Sequence, residues 1–182
     1  MKIQSIKKLV MLALIVTTLV SCNNGPTLQT YYVDNELKPG FTTFDVPTSF
    51  IDVDKVELTD KQKKAYESVD KLNVLAFKVD ANNIDTYNTE LIKIKDILKD
   101  VKYEELMRGG NTTDGKFVVK FIGEVDSIDE LIVLGNANDK GFLVARILGD
   151  NMNANDLISL RTVLDKANFE NADLNGLTDF FK

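Results

Sequence analysis

The sequence predicts an α+β domain, an antiparallel sheet of four to five strands with two main helices packed on one face. Three observations carry this. Strand-length apolar runs at Lys116–Ile122, Ile128–Leu134 and Phe142–Leu148 are separated only by Gly123–Ser127 and Gly135–Gly141. Parallel neighbours need a crossover of about a dozen residues, so connections this short imply antiparallel hairpins. A helical stripe precedes them, with Ile84, Tyr87, Leu91, Ile94, Leu98 and Val101 recurring at helical spacing.

The chain opens with a basic segment carrying Lys2, Lys7 and Lys8, followed by the mostly apolar run Leu9–Val20. A membrane-spanning helix needs about 20 apolar residues. This run is shorter and suits the apolar core of a secretion signal. Leu19-Val20-Ser21-Cys22 resembles a bacterial lipobox, in which the cysteine is acylated and the preceding peptide removed. Cys22 is the only cysteine, so it has no partner within the chain for a disulfide. Residues 1–21 are therefore expected to be a removed signal peptide, and Cys22 the membrane anchor. A lipoprotein cysteine of this type carries three acyl chains, and two or more hold stably. Asn23-Asn24-Gly25-Pro26-Thr27 lacks both the Asp of inner-membrane retention and the acidic cluster of surface export. By resemblance to known lipoproteins this favours the periplasmic face of the outer membrane, with the cell surface and inner membrane as alternatives.

Pro26, Pro39 and Pro47 are all the prolines, and they fall with Gly25, Gly40 and several Thr and Ser in residues 22–57. This stretch reads as an extended tether with a short edge strand near Leu28–Val33. Residues 58–182 read as one folded domain. Thr59 followed by Gln62 is a capping-box pattern, so a short helix should run to about Val69. Leu72–Val79 is a strand. Asn82 or Asn83 caps the long helix, whose solvent side should carry Glu90, Lys93, Asp96 and Lys99. Tyr103–Arg108 is a strand and Gly109–Gly115 a loop. Asn153 or Asn155 caps a last helix with Leu157, Leu160, Arg161 and Leu164 on one stripe. The expected order is α-β-α-β-β-β-β-α.

Composition excludes more than it assigns. There is no His, so no Ser-His-Asp triad, Cys-His pair or HExxH zinc site can form. The whole chain has 22 basic and 28 acidic residues, and losing Lys2, Lys7 and Lys8 makes the balance 19 to 28. Nucleic-acid binding rests on neutralising phosphates, so an acidic chain argues against it. No cofactor is expected.

Gly110–Lys116 has the GxxxxGK spacing of a phosphate loop, but Phe117 stands where a Ser or Thr would hold magnesium. The segment also leads into a strand, not a helix, so it reads as a hairpin loop. Asn171, Asp173, Asn175, Gly176 and Asp179 fall on calcium-loop positions, yet Lys182 replaces the bidentate Glu. That leaves at most a weak calcium contact. The same tail holds two pentapeptide-like units, too few to bury a solenoid core. A frayed helix end is the preferred reading, with Phe169, Leu174, Leu177, Phe180 and Phe181 packing back on the domain. Asp126-Ser127-Ile128 resembles the O-glycosylation site of Bacteroidetes envelope proteins, which makes Ser127 a candidate for modification. Glu104/Glu105 and Asp129/Glu130 are carboxylate pairs within strands. Neighbours on a strand point to opposite faces, so a catalytic pair would need two strands.

Tyr103–Met107 after a long helix, Phe117–Ile122, Ile128–Ile132, Ile147–Asp150 and Asp156-Leu157 together resemble the DUF4252 family of Bacteroidetes lipoproteins. The likeness spans roughly Leu72–Leu164 and departs at Gly109–Asp114 and after Asp165. It implies an α+β fold and an envelope location, and transfers no catalytic residue. The expected function is a non-enzymatic interaction module facing the periplasm, with a periplasmic or envelope protein partner. The alternative is a small hydrolase using a carboxylate pair or Lys, Ser or Tyr chemistry.

Overall fold

The computed structural model describes residues 25–48, 53, 56–137 and 139–160. Among the described residues the elements are α1 (Leu28–Asn35), β1 (Phe41–Pro47), α2 (Asp60–Glu67), β2 (Val69–Lys78) and α3 (Ile84–Ile97). Then come β3 (Glu104–Asn111), β4 (Gly115–Glu124), β5 (Ser127–Ala137), β6 (Gly141–Met152) and α4 (Ala154–Ser159). The six strands form one sheet in the order β1-β2-β6-β5-β4-β3, every neighbour antiparallel.

The α+β class and the hairpins follow the sequence pattern. Thr59 caps α2 through a reciprocal box with Gln62, and the Asn153 side chain accepts from the amides of Asn155 and Asp156 to cap α4. Asn83 stands at the cap of α3 but bonds backward, to the Asp80 amide and the Lys78 carbonyl.

Three expectations are corrected. The sheet has six strands, because Phe41–Pro47 adds an edge strand beside β2. Leu28–Val33 is helical, and α1 and β1 both lie within the stretch read as a tether. Thr27 caps α1 with Thr30 in the reciprocal position, while Leu28, Tyr31, Tyr32 and Asn35 form its buried stripe. The helices also do not share one face. Helices α1 and α3 cover a core of Leu75, Phe77, Ile132, Leu134, Phe142 and Val144. Strand alternation turns Val119, Phe121 and Leu131 to the other face, where Ala154 and Leu157 of α4 pack. Helix α2 is tied to α4 by Gln62 Nε2 donating to the Ser159 carbonyl at 3.1 Å.

On α3, Tyr87, Leu91, Ile94 and Leu98 are buried as the stripe predicts. Ile84 is 51% exposed and Val101 is 93% exposed. Val101 lies beyond the helix end, where helical spacing no longer governs direction. Glu90, expected on the solvent side, is buried. Arg161, Leu164 and the aromatic residues of the tail lie outside the described residues.

Register brings Phe41, Phe77 and Phe142 into one row across β1, β2 and β6, and Tyr87 of α3 stacks on Phe142 at 6.1 Å between ring centroids. Gly141 opens β6 at φ +124°, and a Cβ there would overlap the Phe77 carbonyl oxygen. Gly135 on β5 has only the Leu143 side chain near, at 3.9 Å. Gly141→Ala is therefore expected to cost far more than Gly135→Ala. Urea denaturation should show a loss of about 3 kcal/mol or more for the first and about 1 kcal/mol or less for the second.

Candidate functional site

A row of residues crosses the α1/α3 face of the whole sheet. Asp45, Asn73, Arg146, Ile132, Lys120 and Glu105 stand opposite one another on successive strands. Arg146 is at the centre and only 4% exposed. Its Nε donates to Glu130 Oε1 at 2.6 Å and one terminal nitrogen to Glu130 Oε2 at 3.1 Å. The other donates to the side-chain oxygen of Gln29 on α1. Asp45 accepts from the Tyr32 hydroxyl at 2.8 Å and from the Asn73 amide. Beside this row, Glu90 of α3 accepts from the Tyr31 hydroxyl at 2.7 Å and from Lys93 at 2.6 Å. Burial, then the facing Glu90, pushes the Tyr31 phenol well above its ordinary value. Burial and the bond to Asp45 do the same for Tyr32.

At the β3 edge the same face turns cationic. Lys116 and Lys120 alternate along β4, and Arg108 lies on β3, opposite Val118. The last turn of α3 adds Lys95, and the turn that follows it adds Lys99. These five basic side chains and Glu105 line a cleft of about 460 Å³ whose floor is Leu98, Val118 and Leu134. Arg108 is held by Glu105 through two parallel bonds, which lower the Glu105 carboxyl below its ordinary range. Lys99 pairs with Asp96 at 2.6 Å, and Lys120 donates to the Tyr103 carbonyl at 2.6 Å. No ion pair is formed by Lys95 or Lys116 among the described residues.

The residues singled out from the sequence fall apart in space. Cys22 and the calcium-loop-like segment Asn171–Lys182 lie outside the described residues. Ser127 is half-buried at the start of β5, and its hydroxyl lies 2.9 Å from Asn151 Oδ1. Asp126 accepts from the Asn153 amide at 2.9 Å, so this turn is tied to side chains of the β6–α4 junction. Glu104 and Asp129 are exposed, whereas Glu105 and Glu130 are each spent on an arginine. Gly110–Lys116 is the tip of the β3–β4 hairpin, where the Asn111 side chain accepts from the amides of Thr113 and Asp114. Sequence reasoning missed Arg146, Glu90 and Tyr31. The one local signal for Arg146 was a charge inside the apolar run Phe142–Leu148.

A family model described as a domain of unknown function matches residues 32–160, from inside α1 to the residue that ends α4. The chain belongs to the DUF4252 family. The DUF4252 match thus takes in the whole sheet and the cationic cleft, while Gln29 and Tyr31 of the polar row's surroundings precede it. No curated protein and no solved structure matches this chain. Among the described residues of the DUF4252 domain there is no group of three or more metal-ligating side chains, and no helix is long and apolar enough to cross a membrane.

Removing one partner of a buried ion pair leaves an uncompensated charge. Arg146→Met should therefore cost about 3–5 kcal/mol, with most of it recovered in Arg146→Met/Glu130→Leu. A double-mutant cycle by urea denaturation measures both. The tyrosines give a second expectation. Their folded pKa values lie above the unfolded value of about 10, so their stabilisation is intact below that pH and lost above it. Stability should fall above pH 10 with a slope of up to about 1.4 kcal/mol per pH unit for each tyrosine. An absorbance titration should show Tyr31→Phe and Tyr32→Phe each deleting a phenol that ionises only on unfolding.

Proposed function

We propose that this DUF4252 chain is an envelope lipoprotein, acylated at Cys22 and held at the periplasmic face of the outer membrane. There it acts as a non-enzymatic interaction module for a periplasmic or envelope protein. The observation that carries the non-enzymatic part is the state of the inward-facing carboxylates. Glu130, Glu90 and Asp45 each accept at least two hydrogen bonds from fixed donors. A hydrolytic carboxylate pair needs two acids facing one substrate space, one of them with a raised pKa. Here Arg146, Lys93, Tyr31, Tyr32 and Asn73 occupy that role as structural donors. The cleft at the β3 edge is lined by cations and a single acid, itself paired.

The proposed anchor sits close to the body. Thr27 caps α1 and Leu28 is buried against the core. The five residue steps from Cys22 to Thr27 span at most about 18 Å. Acylation at Cys22 would therefore hold the sheet near the bilayer surface, not at the end of a long tether.

Fractionation tests the anchor. Labelled palmitate should enter the wild-type protein and not Cys22→Ala, and the variant should leave the membrane fraction. A variant that stays membrane-bound defeats the lipoprotein reading. For the interaction, affinity capture from detergent-solubilised envelopes should recover one partner reproducibly. Capture of nothing specific across growth conditions counts against a binding module.

A further inference from the structure

The cationic cleft adjoins a second, smaller cavity of about 160 Å³, and Lys95, Lys116 and Asn136 line both. Tyr87 lines the smaller one. Its ring is packed among Phe77 and Phe142, and the residue is only 5% exposed. Among the described residues its hydroxyl is the buried side-chain polar atom without a hydrogen-bond partner. Buried polar groups are almost always paired, because leaving one unpaired costs about 1–3 kcal/mol. The residue that carries this orphan donor thus lines a cavity that Lys95 and Lys116, which form no ion pair among the described residues, also line.

The donor set selects the chemistry. Five cations stand against one carboxylate, in a chain whose overall charge is −6. The planar fork of Arg108, which matches a carboxylate or a phosphate, is already taken by Glu105. What remains are ammonium point charges and a phenol donor, a set suited to the several oxygens of a phosphate. The floor of Leu98, Val118 and Leu134 is apolar.

We propose that this cleft binds a phosphate group carried on an apolar moiety, with Lys95 and Lys116 on the phosphate and the Tyr87 hydroxyl donating to one of its oxygens. The phosphate could belong to a lipid headgroup or to a soluble phosphate compound, and the apolar floor accommodates the remainder of the ligand. The site follows from the fold and does not depend on acylation of Cys22, so the two readings stand or fall separately.

The test uses the chain from residue 22 onward carrying Cys22→Ser, which keeps every described residue. Three probes are titrated: octyl phosphate, inorganic phosphate, and phosphatidylcholine vesicles with and without phosphatidylglycerol. Octyl phosphate should bind saturably by calorimetry. Lys95→Ala/Lys116→Ala should weaken it at least about tenfold, and Tyr87→Phe by about tenfold or more, the effect of one charge-assisted hydrogen bond. Both variants should keep the wild-type unfolding transition or, for Tyr87→Phe, raise it. Displacement of octyl phosphate by inorganic phosphate supports the site with a soluble ligand. Binding to phosphatidylglycerol vesicles without such displacement supports it with a lipid headgroup. No saturable binding to any probe, or binding undiminished in either variant, overturns the proposal.

Discussion

The guanidinium of Arg146 is the constraint around which the α1/α3 face is arranged. It lies at the middle of β6, between β2 and β5, with aromatic and aliphatic side chains on the neighbouring rows. A charge there is tolerable only if its donors are matched, since desolvation of an unpaired ion costs several kcal/mol. Glu130 on the adjacent strand supplies two acceptors, and the side-chain oxygen of Gln29 supplies a third. That third acceptor arrives on α1, more than a hundred residues earlier in the chain. The polar centre of the sheet and the N-terminal helix therefore need each other. Tyr32 of the same helix bonds Asp45, which also joins β1 to β2 through Asn73. One helix thus ties an edge strand and the central arginine into a single polar layer. Its stabilising worth is modest, and a pair of this kind fixes position more than it adds energy.

This coupling explains where the sequence was readable and where it was not. Residues 59–148 carry strong local signals: a Thr-x-x-Gln cap, a helical stripe, and hairpins bounded by glycine. Each is decided by neighbours within a few positions, and each element appears in the structure, with ends that differ by up to four residues. Helix α1 is weakly amphipathic and flanked by proline and glycine, so it read as a tether. Its stripe of Leu28, Tyr31, Tyr32 and Asn35 is helical in spacing, but the buried end is polar and its partners are remote. Strand β1 was hidden for a related reason. Phe41–Pro47 mixes Thr, Asp and Pro with few apolar residues, a composition tolerated at a sheet edge and uncharacteristic of a central strand. Glu90 falls on the helix side where charge alternation predicts solvent, and the phenol of Tyr31 and the ammonium of Lys93 together offset its burial.

The cationic cleft was legible only in fragments. Lys99 read as part of the solvated side of the long helix and Lys95 carried no assignment, while Lys116 read as part of a failed phosphate loop. The objection to that loop remains sound, because Gly110–Lys116 caps a hairpin and presents no helix N-terminus. What the spacing could not reveal is that β4 turns Lys116 and Lys120 to the same face as the end of α3. Alternation held on the strand, and helical spacing held for the buried stripe from Tyr87 to Leu98. Their meeting is a property of the sheet order, in which β3 and β4 lie farthest from β1.

Charge distribution links the cleft to the proposed anchor. Lys99 lines the cationic cleft and also a cavity of about 690 Å³ between α1 and α3, whose wall includes Gly25 and Pro26. The chain enters the fold at that end, where the Leu28 amide donates to the Tyr103 hydroxyl and the Tyr103 carbonyl accepts from Lys120. An acidic body is repelled by an anionic bilayer as a whole, but interactions beyond about 10 Å are screened at ordinary ionic strength. The local sign then matters more than the net one. If Cys22 is acylated, the few residues before Thr27 keep this end of the domain next to the membrane, and Lys99 of the cationic cleft stands there among Lys38, Lys93 and the acids Asp34, Glu90, Asp96 and Asp100. A phosphate held in the cleft and an acyl chain on Cys22 would then act on the same side of the molecule. The two attachments together would restrict the orientation of the sheet, which a single flexible anchor cannot do.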